Sequence, residues 1–420
     1  MSIKDNASIA LIPSGYKSLK VYSVIPDDGN GDFTFSRGSN ATRVAASGLL
    51  ETVPSGVPRL DYPLVNGVVQ TCPALLLEPS TINRTNYSTQ IDNGYWGKSN
   101  SSVSANNSTS PNGALEADKL VENTATSSHG ISKSIAITSS TTSTFSLFAK
   151  AAGRNTLRVQ FSSGVRAFFN VSNGTIGTVN FGTTAKIEKF PNDWYRCSIT
   201  GTSSSGSTTF TQVLMTLDNQ STTYTGNGSS GVLLWGLQFE TTSFATSFIE
   251  TITTTSSRSV ESAFGSGTTT EINSPEGTLF VEIAALSNNN PQHRRITLSN
   301  GTTSNVVRIA YDTGSQRITC VLFNGSNQCV FQATSSNSSI TDVVDFNKVA
   351  LSYKANEFKC FINGTQFSST DTSGTTFAAD TLNELAFDNG GGGNRFEGKV
   401  KQAMVFKTAL TDSELQALTS

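Results

Sequence analysis

An all-β protein built from two antiparallel jelly-roll sandwiches is what this sequence predicts, and three observations predict it. Charged residues make up only 14% of the 420, against roughly 25% in most soluble domains. Ser, Thr, Asn and Gly take their place, and these favour turns and strands over helices. Short apolar runs alternate with polar residues at a spacing of two, which lines one face of a strand. Clusters of Gly and Ser, as at residues 201–206, punctuate those runs in the manner of a many-stranded sandwich. The 25 Phe are spread along the whole chain and supply the bulk of a core. At about 150 residues per domain the length fits two or three units.

Residues 1–80 hold seven of the eleven prolines, a density that blocks long helices and central strands. They read as an extended arm with short strands near 19–24 and 32–35. Two placements fit it: over a partner or neighbouring subunit, or on its own first jelly roll. Residues 81–250 read as that first jelly roll. Phe145, Leu147 and Ala149 share one strand face, and Leu157, Val159 and Phe161 share another. The unbroken apolar run 232–239 suits a strand buried on both sides. Residues 251–272, rich in Thr and Ser with Gly265 and Gly267, read as a linker.

Residues 273–420 form the second jelly roll, with Leu279, Val281, Ile283 and Ala285 on one face and Val307, Ile309 and Tyr311 on another. A two-residue turn at Ala355-Asn356 sets Tyr353 opposite Phe358, Leu351 opposite Cys360 and Val349 opposite Ile362, all on one face. The same arithmetic around Asn324-Gly325 pairs Cys320 with Cys329. A cross-strand disulfide and a pair of reduced core thiols both fit, and assembly in a reducing cytosol favours the reduced pair. One short C-terminal helix follows, with Thr411 as N-cap, Glu414 completing a capping box, and Leu410 stapled to Leu415.

Several function classes fall away. A net charge of −2 gives no footprint for nucleic acid or an anionic membrane. No run approaches the ~20 apolar residues of a membrane span, and the N-terminus lacks a secretory signal. Five cysteines without a C-x-x-C argue against a disulfide framework and a zinc site. His129 and His293 sit in polar segments and read as surface residues. Glu116 and Asp118 start an E-x-D pattern of the kind jelly-roll glycosidases carry, but the third acid is replaced by Leu120 or Val121, so no hydrolase is expected. No cofactor is implied beyond a structural calcium, for which Glu116 and Asp118 in the first module and Asp388 and Asn389 in the second are the candidates. A sugar site pairs an aromatic platform with amides and carboxylates. Trp96, Trp194, Tyr195 and Tyr224 are the candidate platforms, while Trp235, with apolar flanks, reads as core.

The run Gly31-Asp-Phe-Thr-Phe-Ser-Arg-Gly-Ser-Asn-Ala-Thr-Arg-Val44, with Gly48-Leu-Leu-Glu51, Pro58-Arg-Leu-Asp-Tyr-Pro63 and Cys72-Pro-Ala-Leu-Leu-Leu-Glu-Pro79, resembles the start of many phage and prophage structural proteins. The middle, with Tyr95-Trp-Gly-Lys98, Phe145-Ser-Leu-Phe-Ala-Lys150 and Asp193-Trp-Tyr-Arg-Cys-Ser198, resembles a carbohydrate-binding-module-like jelly roll. The end, with Glu276-Gly-Thr-Leu-Phe280, Phe396-Glu-Gly-Lys-Val400 and Ala409-Leu-Thr-Asp-Ser-Glu-Leu415, is similar to concanavalin A-like, laminin-G-like domains. The resemblance implies a virion surface protein, a fibre or spike subunit made in the host cytoplasm. Its N-terminal region would bind other virion proteins and its jelly rolls would bind host cell-surface glycan, in a homo-oligomer, a trimer by analogy with fibres. A purely structural decoration or tail-connecting protein without a glycan ligand is the alternative.

Overall fold

The computed structural model describes residues 3–138, 140–203, 208–288, 292–313 and 316–420. Strands are the dominant element, and the described residues hold one α-helix, Asp412–Thr419, at the end of the chain. Of the Gly/Ser cluster at 201–206, residues 204–206 lie outside the described residues.

The first sandwich packs two six-stranded sheets face to face. One sheet runs, in spatial order, through Gly97–Ser99, His129–Ala136, Thr208–Thr216, Thr156–Phe161, Val165–Asn170 and Thr175–Val179. The other runs through Ser101–Thr109, Leu115–Glu122, Gly231–Glu240, Thr142–Ala152, Tyr195–Thr202 and Thr184–Lys189. Phe145, Leu147, Ala149, Leu157, Val159 and Phe161 all point into one core, as their alternation requires. Gly231–Glu240 is buried along its whole length, being the central strand between two others.

In the second sandwich a five-stranded sheet, Asn327–Thr334, Arg317–Asn324, Asn305–Tyr311, Arg294–Ser299 and Glu384–Ala386, faces a sheet of eight. Five of the eight come from the C-terminal module: Thr365–Asp371, Glu357–Ile362, Asn347–Lys354, Glu276–Ala285 and Gly398–Phe406. The other three are Ile9–Leu11, Arg59–Asp61 and Ala74–Leu77 from the N-terminal segment. Ile9–Leu11 and Ala74–Leu77 both pair with Gly398–Phe406. Ile9, Leu11, Leu75 and Leu77 lie in the same core as Leu279, Ile309 and Val405.

The proline-rich segment is therefore no free arm. Its strands complete the second sandwich, while its hairpin, Ala41–Val44 with Leu50–Val53, lays Val44 and Leu50 on the first sandwich beside Phe148, Trp194, Trp235 and Phe248. The proposed linker is corrected in the same way. Ser256–Arg258 pairs with Thr81–Asn83, and Ser262–Phe264 pairs with Phe33–Ser36. Outgoing and returning strands of the first sandwich thus lie side by side, so this sandwich is inserted into the second.

Charge fixes the joint. Arg37, Arg59, Glu78, Arg258 and Glu261 are all buried. Glu261 takes Arg37 Nη1 at 2.7 Å and Arg59 Nε at 2.9 Å, with a further contact from Arg59 Nη2. Glu78 takes Arg59 Nη1 at 2.8 Å and Arg258 Nη1 at 3.1 Å. It also accepts from the Ser247 amide at 2.8 Å and hydroxyl at 2.6 Å. Three stretches far apart in sequence meet in one network. Burial raises the cost of both carboxylates, and the surrounding guanidiniums and amides repay it.

The hairpin at 347–362 has the register the turn arithmetic demands, Tyr353↔Phe358, Leu351↔Cys360 and Val349↔Ile362. The hairpin at 317–334 does not. A bulge between Leu322 and Phe323 shifts the pairing, so Cys320 lies opposite Phe331 and Cys329 opposite Leu322. Both thiols still face the core, but the neighbour of Cys320 is Cys360 on the facing sheet, Sγ to Sγ 3.6 Å. All five cysteines are free, so the Cys320–Cys329 bridge is not formed. The closing helix keeps its capping box, with Thr411 accepting from the Glu414 amide and Glu414 from the Thr411 amide. Leu410, Leu415 and Leu418 pack on Phe280, Ala350 and Phe361.

Candidate functional site

The four aromatic candidates in the first module are all core residues. Trp96 donates its Nε1–H to the Tyr87 carbonyl at 3.1 Å, and Trp194 donates to the Thr109 carbonyl at 3.1 Å. Tyr195 packs among Phe145, Leu147 and Cys197. Tyr224 gives its hydroxyl to Glu122 at 2.8 Å and is covered by His129 and Arg154 at 4.8 and 4.9 Å. No face of these rings is left for a pyranose. All four rings turn inward. Trp235 is core, as read, and its Nε1–H meets Glu116 at 2.9 Å. His129, expected at the surface, is fully buried against Tyr224, with Nδ1 2.7 Å from the Asn100 carbonyl.

The calcium candidates do not form a cradle either. Glu116 is engaged by Trp235 and by Asn112, and Asp118 accepts the amides of Asp92 and Asn106. In the glycine-rich loop, Asp388 accepts the Gly390 amide, and Asn389 accepts those of Gly391 and Gly393. These are local turn-closing bonds, which short polar side chains commonly make. Among the described residues no group of three or more His, Cys, Asp or Glu could hold a metal ion.

Two cavities stand out. The larger, about 550 Å³, is a seam between the N-terminal segment, the Thr184–Lys189 edge of the first sandwich and the second sandwich. Most of its charged side chains already have partners, among them Lys399 with Asp61 at 2.9 Å, Arg43 with Glu51 at 2.5 Å, and Lys186 with Glu188 at 2.8 Å.

The smaller, about 240 Å³, lies on the second sandwich and has a different character. Alternation builds it. Along Arg294–Ser299, Asn305–Tyr311 and Arg317–Asn324, the residues Ile296, Ile309, Ile318 and Cys320 go to the core. Arg295, Arg308, Ala310, Arg317, Thr319 and Val321 must then stand on the outer face. The register sets Arg308 opposite Val321, Ala310 opposite Thr319, and Val321 opposite Val330. His293, Asp312, Asn327 and Gln332 complete the lining.

Asp312 organises one side of this concavity. It takes His293 Nδ1 at 3.1 Å, Arg317 Nε at 2.5 Å and Thr319 Oγ1 at 2.5 Å. Burial and the neighbouring Arg295 both act to lower the Arg308 pKa, with Asp312 opposing them. Burial does the same for Arg295, again against Asp312. Val330, 44% exposed, gives an apolar floor. Sequence reading missed this site because an arginine on an outward strand position is the ordinary residue there; only the cross-strand register gathers three of them.

The comparisons with known proteins bear on this module. Residues 268–416 match the model of the concanavalin A-like lectin/glucanases superfamily. This stretch is a concanavalin A-like, laminin-G-like domain. None of the curated proteins matches the chain. Among solved structures, the CBM40 of the Ruminococcus gnavus IT-sialidase, bound to α2,3 sialyllactose, is 19% identical over 35% of this chain and 84% of its own, with a TM-score of 0.30. The heptameric SAP-like pentraxin of Limulus polyphemus is 13% identical over 36% of this chain and 71% of its own, at 0.27. Domains LG4-5 of the mouse laminin α1 chain are 7% identical over 64% of this chain and 81% of their own, at 0.23. No residue role passes from these likenesses to this chain.

Proposed function

We propose that the chain is a non-catalytic, lectin-like protein that binds a saccharide in the outer-face concavity of its concanavalin A-like module. The observation that carries the reading is the make-up of that concavity. Guanidiniums, the amides of Asn327 and Gln332, and the Thr319 hydroxyl surround the exposed apolar side chain of Val330. Hydroxyls need hydrogen-bond partners and the C–H face of a sugar ring needs an apolar surface, and both are supplied within one shallow site. The superfamily match of the module supports the same reading.

In this reading the protein belongs to the surface of a phage particle, as the N-terminal motif run suggests, and acts in host attachment. It meets other virion proteins through the outer surface of the N-terminal segment, and works as a homo-oligomer, a trimer by analogy with fibres, so that weak single sites add. A glycan array probed with the folded full-length chain tests the reading: signal on a related set of glycans is expected. A blank array would favour a purely structural decoration or connecting role. Loss of polysaccharide viscosity on incubation with the chain would contradict the non-catalytic assignment.

A further inference from the structure

The concavity holds more positive charge than its own acid can balance. Arg295, Arg308 and Arg317 line it beside the single carboxylate of Asp312. Asp312 is already committed: one oxygen meets His293, and the other is shared by Arg317 and Thr319. Among the described residues neither Arg295 nor Arg308 has an ion-pair partner. Two guanidiniums side by side on one sheet face repel each other, and an anion placed between them relieves that. A planar fork of donors matches a carboxylate or sulfate oxygen pair. Among the described residues no Phe, Tyr or Trp lines the site, and the one ring there, His293, is held against Asp312, so charge supplies the directional contact.

Building on the saccharide reading, we infer that the ligand is an acidic saccharide whose anionic group sits on Arg295 and Arg308. Val330 then lies under the ring, and Asn327 and Gln332 take its hydroxyls. Asp312 is a positioning residue: it holds Arg317 and His293 to one side and leaves the other two arginines for the ligand. A carboxylate and a sulfate ester share this chemistry.

The test uses the full-length chain against immobilised polygalacturonate, dextran sulfate and unmodified dextran, with wild type, Arg308→Gln, Arg295→Gln and Arg308→Lys compared. The expected result is retention on one or both anionic polymers and none on dextran. Binding should weaken about tenfold or more in either Gln variant, as the loss of a charge-assisted hydrogen bond implies. Arg308→Lys keeps the charge without the fork and should fall between. Preference for polygalacturonate identifies the carboxylate form, and preference for dextran sulfate the sulfate form. Unchanged melting curves show that the variants fold. Anionic binding that all variants retain would overturn the inference. So would binding confined to dextran or to neutral glycans on the array, but the saccharide reading would then stand. Folded protein that binds no saccharide at all would remove both.

Discussion

Glu78 and Glu261 sit out of water with three arginines around them. Burial works to raise the Glu78 pKa from its ordinary 4.5, but Arg258 and Arg59 outweigh it and hold the group well below that value. The unfolded chain therefore takes up a proton at Glu78 in a pH range where the folded chain does not. Its contribution is fully present above about pH 4.5 and fades as pH falls toward the folded value. The stability difference between wild type and Glu78→Gln should be constant near neutrality and shrink below about pH 4.5, read by urea unfolding at each pH. Glu261→Gln leaves Arg37 and Arg59 short of a charge, and should cost about 3–5 kcal/mol by the same measurement. A cost below about 1 kcal/mol would show that the network is not holding the joint. Arg37, Arg59 and Glu78 all lie in the motif run that gave the phage-protein resemblance, and nothing in the sequence said that they meet Arg258 and Glu261. The aromatic candidates failed for a related reason. Trp194 was read as a sugar platform, whereas in the fold its ring is 1% exposed and packs beside Trp235 and Phe248.

Strands were legible wherever the signal was local. Phe145, Leu147 and Ala149, and Leu279, Val281, Ile283 and Ala285, share the core faces the spacing predicts, while the residues between them, such as Phe148 and Phe280, are buried on the other face. The 347–362 hairpin was readable down to its partners because Asn356 closes a tight turn with a positive φ of 59°. Its neighbour at 317–334 carries a bulge that no residue type announces, and the predicted partner of Cys320 was wrong by two positions. Two predictions belong at this level. Thr411→Ala removes the cap of the closing helix and should cost about 1 kcal/mol, visible as a lower urea midpoint with unchanged m. Deleting residues 1–11 strips Ile9 and Leu11 from the second core. At about 1.5–3 kcal/mol for each buried aliphatic side chain, the loss should be some 3–6 kcal/mol. A chain that unfolds at the wild-type midpoint without them would show that Ile9–Leu11 is an ornament on Gly398–Phe406.

The nested arrangement is a property of the whole chain, and periodicity carries no trace of it. Thr81–Asn83 pairs with Ser256–Arg258 and Ala74–Leu77 with Gly398–Phe406, contacts that close loops far longer than any local pattern spans. A Ser/Thr-rich stretch with two glycines was read as a linker; its two short strands and the buried Arg258 and Glu261 make it part of the joint. Limited proteolysis of the native chain should therefore spare the strands Ser256–Arg258 and Ser262–Phe264, and early cleavage within them would contradict the nested fold. The proposed saccharide site has the same origin: Arg295, Arg308 and Arg317 come from three strands and gather only through register. The measurement that reaches the central claim most directly is a crystal structure of the chain soaked with a galacturonate oligosaccharide. A carboxylate resting on Arg295 and Arg308, with the ring over Val330, is the predicted result. Oligosaccharide bound elsewhere on the molecule, with these two arginines untouched, would contradict it.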